Sequence, residues 1–115
     1  MVASWEICAG ICRVGRAMHK NQFCPATSGN ISVRVGTRGI VITPTGMSKG
    51  RMIPGDLVLI STDGRHIRGR RKASSEAEMH TLIYRLRQDV NAVVHAHPVT
   101  ATAFGTAAVA GGISP

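Results

Sequence analysis

A chain of 115 residues that is 43% hydrophobic and 17% charged has room for one modest core, which excludes both a disordered segment and a multidomain protein. Aromatic residues make up only 3%, so the core must be aliphatic and alanine-rich, without the rings on which nucleic-acid bases would stack. The formal charge is +8, yet no apolar run reaches the length of a membrane span, and Glu6 interrupts the only stretch resembling a secretory leader.

Trp5, Cys8, Cys12, Gly15 and Met18 recur at three-to-four spacing, with Arg13, Arg16 and Lys20 elsewhere on the wheel. This predicts an amphipathic helix ending near Asn21. Cys8 and Cys12 lie on its apolar stripe. With Cys24 they make an odd count without metal-type spacing, and they read as reduced thiols of a cytoplasmic protein. A loop follows around Pro25.

Ser28-Gly29-Asn30 opens a strand in which Ile31, Val33 and Val35 alternate with Ser32 and Arg34. Gly36 to Gly39 turns it into Ile40-Val41-Ile42, a hairpin. Thr43-Pro44-Thr45-Gly46 leaves that strand, and a loop runs from Met47 to Gly55. Asp56 to Ile60 is a further strand, and Asp63-Gly64 a turn. Much of the positive charge then falls in Arg65, Arg68, Arg70, Arg71 and Lys72. Such a block can grip an anion, but without a recognition motif it reads as a solvated hairpin edge, and no nucleic-acid partner is expected.

Ser75 and Glu78 have the spacing of a capping box, and Met79, Leu82, Ile83 and Leu86 form one apolar face, so a helix is predicted up to Gln88-Asp89. Asn91 to His97 is short and β-branched and reads as a buried strand. Side chains two apart on a strand share a face, so His95 and His97 project together, a geometry that can place two imidazoles on one divalent ion. Catalytic zinc usually takes three protein ligands, and two fall short of a complete site. Val99 to Ala110 is alanine-rich and predicted helical, and Gly111 to Pro115 reads as a loop into something more. Ser28-Gly29-Asn30, Thr43 to Gly46 and Ser74-Ser75 each place small hydroxyl or amide donors at the end of an element, a chemistry that suits a phosphate dianion.

Taken in order, Ser28-Gly29-Asn30-Ile31-Ser32, Ile42-Thr43-Pro44-Thr45-Gly46, Asp56-Leu57-Val58, Ser74-Ser75-Glu76 with Met79-His80, and Val93-Val94-His95-Ala96-His97 resemble the class II aldolase/adducin family from residue 10 onward. The resemblance implies a three-layer α/β/α sandwich around a mostly antiparallel sheet, a zinc ion, and a cyclic homotetramer with sites near subunit interfaces. It places His95 and His97 as two zinc ligands and Glu76 as the acid/base carboxylate. Asn30, Thr45, Gly46, Ser74 and Ser75 match the family's phosphate-binding groups.

Ala73 stands where the family commonly has proline, and the family's third zinc histidine belongs to a C-terminal half. Residues 1–115 are therefore expected to be a single domain lacking its C-terminal part, with uncovered apolar faces at 40–43 and 92–97. His19, His66 and His80 are poor substitutes for the third ligand, and His80 reads as a satisfied structural histidine. Sugar-phosphate 4-epimerases tend to have aspartate at position 76, and methylthioribulose-phosphate dehydratases generally lack a Ser-Ser-Glu stretch. The expected activity is therefore zinc-dependent cleavage of a ketose 1-phosphate, of the fuculose-phosphate kind, to dihydroxyacetone phosphate and an aldehyde. The alternatives are a 4-epimerase or dehydratase of the same family, or a non-catalytic adducin-like interaction module.

Overall fold

The alternation of Ile31, Val33 and Val35 with Ser32 and Arg34 is realised as a strand with two covered faces. In the computed structural model, which describes residues 4–37 and 39–98, helix α1 (Ser4–Lys20) is followed by β1 (Asn30–Val35), β2 (Gly39–Ile42), β3 (Val58–Ser61) and β4 (His66–Arg68), then α2 (Ala77–Leu86) and β5 (Ala92–His95). A single turn of 3-10 helix at Pro54–Asp56 precedes β3. The strands form one five-stranded sheet in the order β4-β3-β2-β1-β5, with every pairing antiparallel. Residues 99–110, read above as helical, lie outside the described residues.

Period-two geometry sorts the core into two halves. Ile31, Val35 and Val41 face α1, where they pack with Ile11, Cys12, Met18, Met52 and Leu57. Ile40, Ile42, Val58 and Ile60 face the other way and pack with Tyr84 of α2. Helix, sheet and helix are thus the three layers that the family resemblance implied. The expected uncovered face at 40–43 is not found, because Ile40 and Ile42 are fully buried under α2 and Val41 is buried under α1. Each such side chain contributes about 1.5–3 kcal/mol by leaving water.

Three local readings need correction. Helix α1 buries Ile11, Cys12, Gly15 and Met18, but Trp5 at its start is 71% exposed. The strand expected from Asp56 begins at Val58, because Pro54, Gly55 and Asp56 form the 3-10 turn. The strand expected to be buried at 91–97 is β5, which pairs with β1 at one end of the sheet order; Val94 is 54% exposed.

Helix α2 departs furthest from its pattern. Met79, Leu82 and Leu86, read as its core face, are exposed, and the face against the sheet is His80, Thr81 and Tyr84. The sheet offers Ser32 at that point, and the hydroxyl accepts polar partners more readily than leucine. Ser75 does not cap the helix. Glu76 is the residue before the first turn, while the Ser74 hydroxyl accepts the Glu76 N–H at 3.1 Å and the Ser74 carbonyl accepts the Ala77 N–H at 3.0 Å. At the other end the Arg34 guanidinium donates to the carbonyls of Tyr84, Arg87 and Val90, supplying positive charge where the helix carbonyls lack partners.

The basic segment is an exposed edge, as expected: all three residues of β4 are exposed. Part of its charge has an internal function. Arg70 and Arg71 both donate to the buried Asp56 carboxylate, at 2.8 and 2.7 Å, and the Ile53 N–H adds a third bond at 2.9 Å. The three cysteines are free thiols. None of the described helices is long and apolar enough to cross a membrane.

Candidate functional site

Two strand pairings bring distant polar stretches together. Asn30 sits opposite His95 in the register between β1 and β5. Beyond the end of β2, Pro44 and Ala73 form an isolated antiparallel bridge; the Thr45 N–H donates to the Lys72 carbonyl and the Ser74 N–H to the Thr43 carbonyl. This short ladder lays Thr43 to Gly46 against Ser74-Ser75. Gly29 completes the junction. Its φ is +81°, and a Cβ there would lie 2.9 Å from the Cys24 Cβ and 3.2 Å from the His95 carbonyl, so only glycine fits.

The result is a polar cleft of about 140 Å³ lined by Thr27, Ser28, Gly29, Asn30, Pro44, Thr45, Gly46, Lys49, Ser74, Ser75, Glu76 and His97. Every residue singled out in the sequence as phosphate-binding lines it. Thr45 and Ser75 are exposed, with hydroxyls free to turn toward a bound anion, and Ser74 is buried.

Glu76 and His97 of this lining form a cluster with His95, their potential ligand atoms all within 4.8 Å of one another. The two imidazoles lie with ring centroids 4.5 Å apart, although β5 ends at His95. His97 is held instead by its N–H, which donates to the Phe23 carbonyl at 2.6 Å. Nδ1 of His95 lies 2.5 Å from Oε2 of Glu76, which also accepts from the Asn30 amide at 2.7 Å. The Asn30 amide, then burial opposing it, then His95 and the charge of His97 set the Glu76 carboxyl, and the sum holds it below the ordinary range. Glu76 is therefore a carboxylate at neutral pH, and His95 Nδ1 must carry the proton it donates. That leaves His95 Nε2 with its lone pair free, the arrangement by which a carboxylate orients a metal-binding histidine. Two imidazoles and a carboxylate suit a borderline divalent ion such as zinc. So the donor set that sequence reasoning left at two histidines becomes three groups once Glu76 is included.

The other histidines do not join this cluster. His80 is fully buried and both of its ring nitrogens are engaged, by Ser32 at 2.6 Å and by Asn30. Burial first, and then the charge of His95, push its pKa down to about 4 despite Glu76. His66 sits on β4, at the opposite end of the sheet order from β5. His19 packs at the end of α1 against Gly50.

Lys49 was missed. It is 1% exposed, yet its ammonium donates to the carbonyls of Met47 at 2.7 Å and Thr27 at 3.2 Å, tying together two loops of the cleft. Burial lowers its pKa, with Cys24 acting in the opposite direction, and among the described residues no carboxylate pairs with it. A lone lysine in the loop Met47-Ser48-Lys49-Gly50 carries no period from which inward burial could be read.

Comparison with known proteins agrees with this architecture. Residues 9–115 match the class II aldolase and adducin N-terminal domain. Curated relatives include the methylthioribulose-1-phosphate dehydratase of Yersinia enterocolitica, 41% identical over 80 residues, covering 70% of this chain and 38% of the relative. The enzyme of the same name from Hahella chejuensis is 38% identical over 97 residues, covering 84% of this chain and 47% of the relative. Among solved structures, an L-fuculose 1-phosphate aldolase superposes with a TM-score of 0.79 at 29% identity, covering 87% of this chain and 48% of that one. The L-fuculose-1-phosphate aldolase of Thermus thermophilus gives 0.72 at 36% identity, covering 84% and 49%. The chain thus spans less than half the length of each of these relatives. It belongs to the class II aldolase and adducin N-terminal domain family.

Proposed function

We propose that this domain is part of a zinc-dependent lyase that eliminates water from a ketose 1-phosphate of the methylthioribulose 1-phosphate type. The observation that carries the reading is the Glu76–His95–His97 cluster, two of whose members line a hydroxyl-bearing cleft. The 41% identity to dehydratases favours water loss over the aldol cleavage expected from Ser74-Ser75-Glu76. The fold likeness to fuculose-phosphate aldolases, at up to 36% identity among the structures compared, keeps aldol cleavage as the second reading.

Both reactions begin from the same chemical problem. In a 2-ketose 1-phosphate the carbonyl at C2 makes C3 the carbon at which negative charge develops. Zinc, held by His95 and His97 with Glu76 beside them, would supply Lewis acidity to the substrate's oxygens. Thr45, Gly46, Ser74 and Ser75 would hold the phosphate, and Asn30 would add the second N–H of its amide, since only one is given to Glu76. That grip orients C3 by binding energy remote from the reacting bonds. The Glu76 carboxylate would then take the C3 proton, leaving its electron pair as the C2–C3 enolate. As the C2 carbonyl re-forms, that pair becomes the C3–C4 double bond and the C4 hydroxyl departs with a proton as water. The resulting enol tautomerises to the 2,3-diketone. In aldol cleavage the C4 hydroxyl loses its proton instead, and the C3–C4 bond breaks. Glu76 is a weak base by virtue of its two donors, so the reaction relies on an acidified C–H rather than on a strongly basic carboxylate.

The test uses the zinc-loaded protein that carries this domain, offered methylthioribulose 1-phosphate and, separately, fuculose 1-phosphate. Expected is formation of the dehydrated diketone from the first substrate, abolished by chelator and restored by zinc. Release of dihydroxyacetone phosphate from the second substrate, without diketone from the first, would establish the aldolase reading. Turnover unaffected by complete metal removal would sink both.

A further inference from the structure

The buried face of α2 is polar, and its polar groups form a single chain that ends on Glu76. The Tyr84 hydroxyl lies 2.8 Å from Ser32 Oγ, which lies 2.6 Å from His80 Nδ1. His80 Nε2 bonds to Asn30 Oδ1, and Asn30 Nδ2 lies 2.7 Å from Glu76 Oε2. Ser32, His80 and Tyr84 are fully buried and Asn30 is nearly so, and no described side-chain atom buried from solvent is left without a partner. Four buried polar side chains thus stand at the sheet–helix contact where apolar packing is usual, each bonded to the next. The chain they form runs directly to the carboxylate of the candidate site.

The direction of every bond follows from its end. An ionised carboxylate only accepts, so Asn30 must turn its NH₂ toward Glu76 and its carbonyl oxygen toward His80. That oxygen also only accepts, so His80 Nε2 must carry the proton. The neutral ring then has a bare Nδ1, which takes the Ser32 O–H, and Ser32 Oγ in turn takes the Tyr84 O–H. No member can reverse without placing two acceptors face to face.

We propose that His80 is a positioning residue: as a fixed Nε2–H donor it locks the Asn30 carboxamide so that its NH₂, not its oxygen, faces Glu76. Without that lock the amide can rotate by half a turn and point its oxygen at the carboxylate, which pushes Glu76 away from the orientation that receives the substrate's proton. The inference rests on the reading of Glu76 as the proton acceptor, and it assigns His80 no contact with substrate.

Two measurements test it on the complete protein. Long-range ¹H–¹⁵N correlation spectra of the imidazoles report tautomers without any assay of activity. His80 is expected as the neutral form protonated at Nε2, and a ring protonated at Nδ1 or carrying charge at neutral pH overturns the proposal. Kinetically, His80→Gln returns an amide N–H near the Nε2 position, whereas His80→Leu returns none. Expected is a loss of about 10–100-fold in kcat for His80→Leu, the usual effect of removing a partner that orients a functional group. Inorganic phosphate affinity should fall much less than kcat, because Thr45, Gly46, Ser74 and Ser75 do not depend on His80, and His80→Gln should recover most of the rate. Equal losses for the two variants, or a loss confined to KM, overturn the proposal. If His80→Leu does not fold, the tautomer and the Gln variant decide. If the unaltered protein shows no lyase activity, the lyase reading fails on its own, while the tautomer spectrum still decides the bonded chain.

Discussion

Glu76 Oε2 accepts from His95 Nδ1 at 2.5 Å and from Asn30 Nδ2 at 2.7 Å, so one carboxylate oxygen joins the edge of the sheet to the start of α2. The relationship makes Glu76 both the group that fixes the His95 tautomer and the candidate proton acceptor. The two functions separate in Glu76→Gln. An amide oxygen can still accept from His95, but it cannot take a proton at neutral pH. The expected result is a fall in turnover of about 10²-fold or more with phosphate affinity intact. Turnover near that of the unaltered protein would reduce Glu76 to a helix-start charge.

The phosphate-binding assignment can be checked apart from catalysis. Ser75 is exposed and does not cap α2, so Ser75→Ala should leave the melting temperature in place. It should weaken inorganic phosphate binding by about 1–3 kcal/mol, the usual effect of deleting a donor to a charged group. A phosphate-free substrate analogue should bind both proteins alike. Equal weakening for the analogue would point to a misfolded cleft instead.

How much of this was legible in the sequence depends on which physical signal each residue carried. Ile31, Val33, Val35 and Ile40 to Ile42 announced their strands because the side-chain period of a strand is fixed by the backbone, and the structure returns it. The polar stretches at 28–30, 43–46 and 74–75 were visible as a set, and the bridge between Pro44 and Ala73 shows why the last two meet. Helix α2 was misread because hydrophobic periodicity records where apolar residues lie, not which face meets the sheet. Met79, Leu82 and Leu86 are a genuine stripe, but Ser32 lies under the opposite face and selects His80 and Tyr84. Glu76 as a third group beside the histidines was hidden for another reason. Its approach to His95 depends on the pairing of β1 with β5 and on the ladder that carries Ser74, and no local pattern encodes either.

Asp56 is expected to contribute to the acid limit of the fold. Burial alone would raise its pKa, but the Ile53 N–H and the guanidinium groups of Arg71 and Arg70 outweigh that and hold it down to about 2, from 3.8. A carboxyl with a depressed pKa in the folded state stabilises above its unfolded pKa and loses that contribution as pH falls through the folded value. The difference corresponds to about 2 kcal/mol, present at pH 5 and above and lost between roughly pH 4 and pH 2. Denaturant melts across that range should show the decline, and Asp56→Asn should flatten it while lowering stability at neutral pH. An unchanged acid slope in the variant would mean that other carboxylates control it.

Metal binding gives the most direct test of the cluster, because it can be measured without substrate. Glu76, His95 and His97 offer three donors within 4.8 Å, while His66 lies at the other end of the sheet order and His80 has no free nitrogen. Zinc titrated into metal-free protein should therefore lose affinity in His95→Ala and in His97→Ala, and be unchanged in His66→Ala. Glu76→Ala should weaken it as well, by about 10–100-fold if the carboxylate acts by orienting His95. Binding to the folded state alone raises stability by RT ln(1 + [L]/Kd), about 2.7 kcal/mol at a hundredfold excess over Kd, so chelation should lower the melting temperature of the unaltered protein. In the His95→Ala variant chelator and zinc should have little effect on melting. A zinc-dependent rise in melting temperature that survives loss of both His95 and His97 would place the ion elsewhere in the protein and remove the basis for reading this cleft as a metal-assisted site.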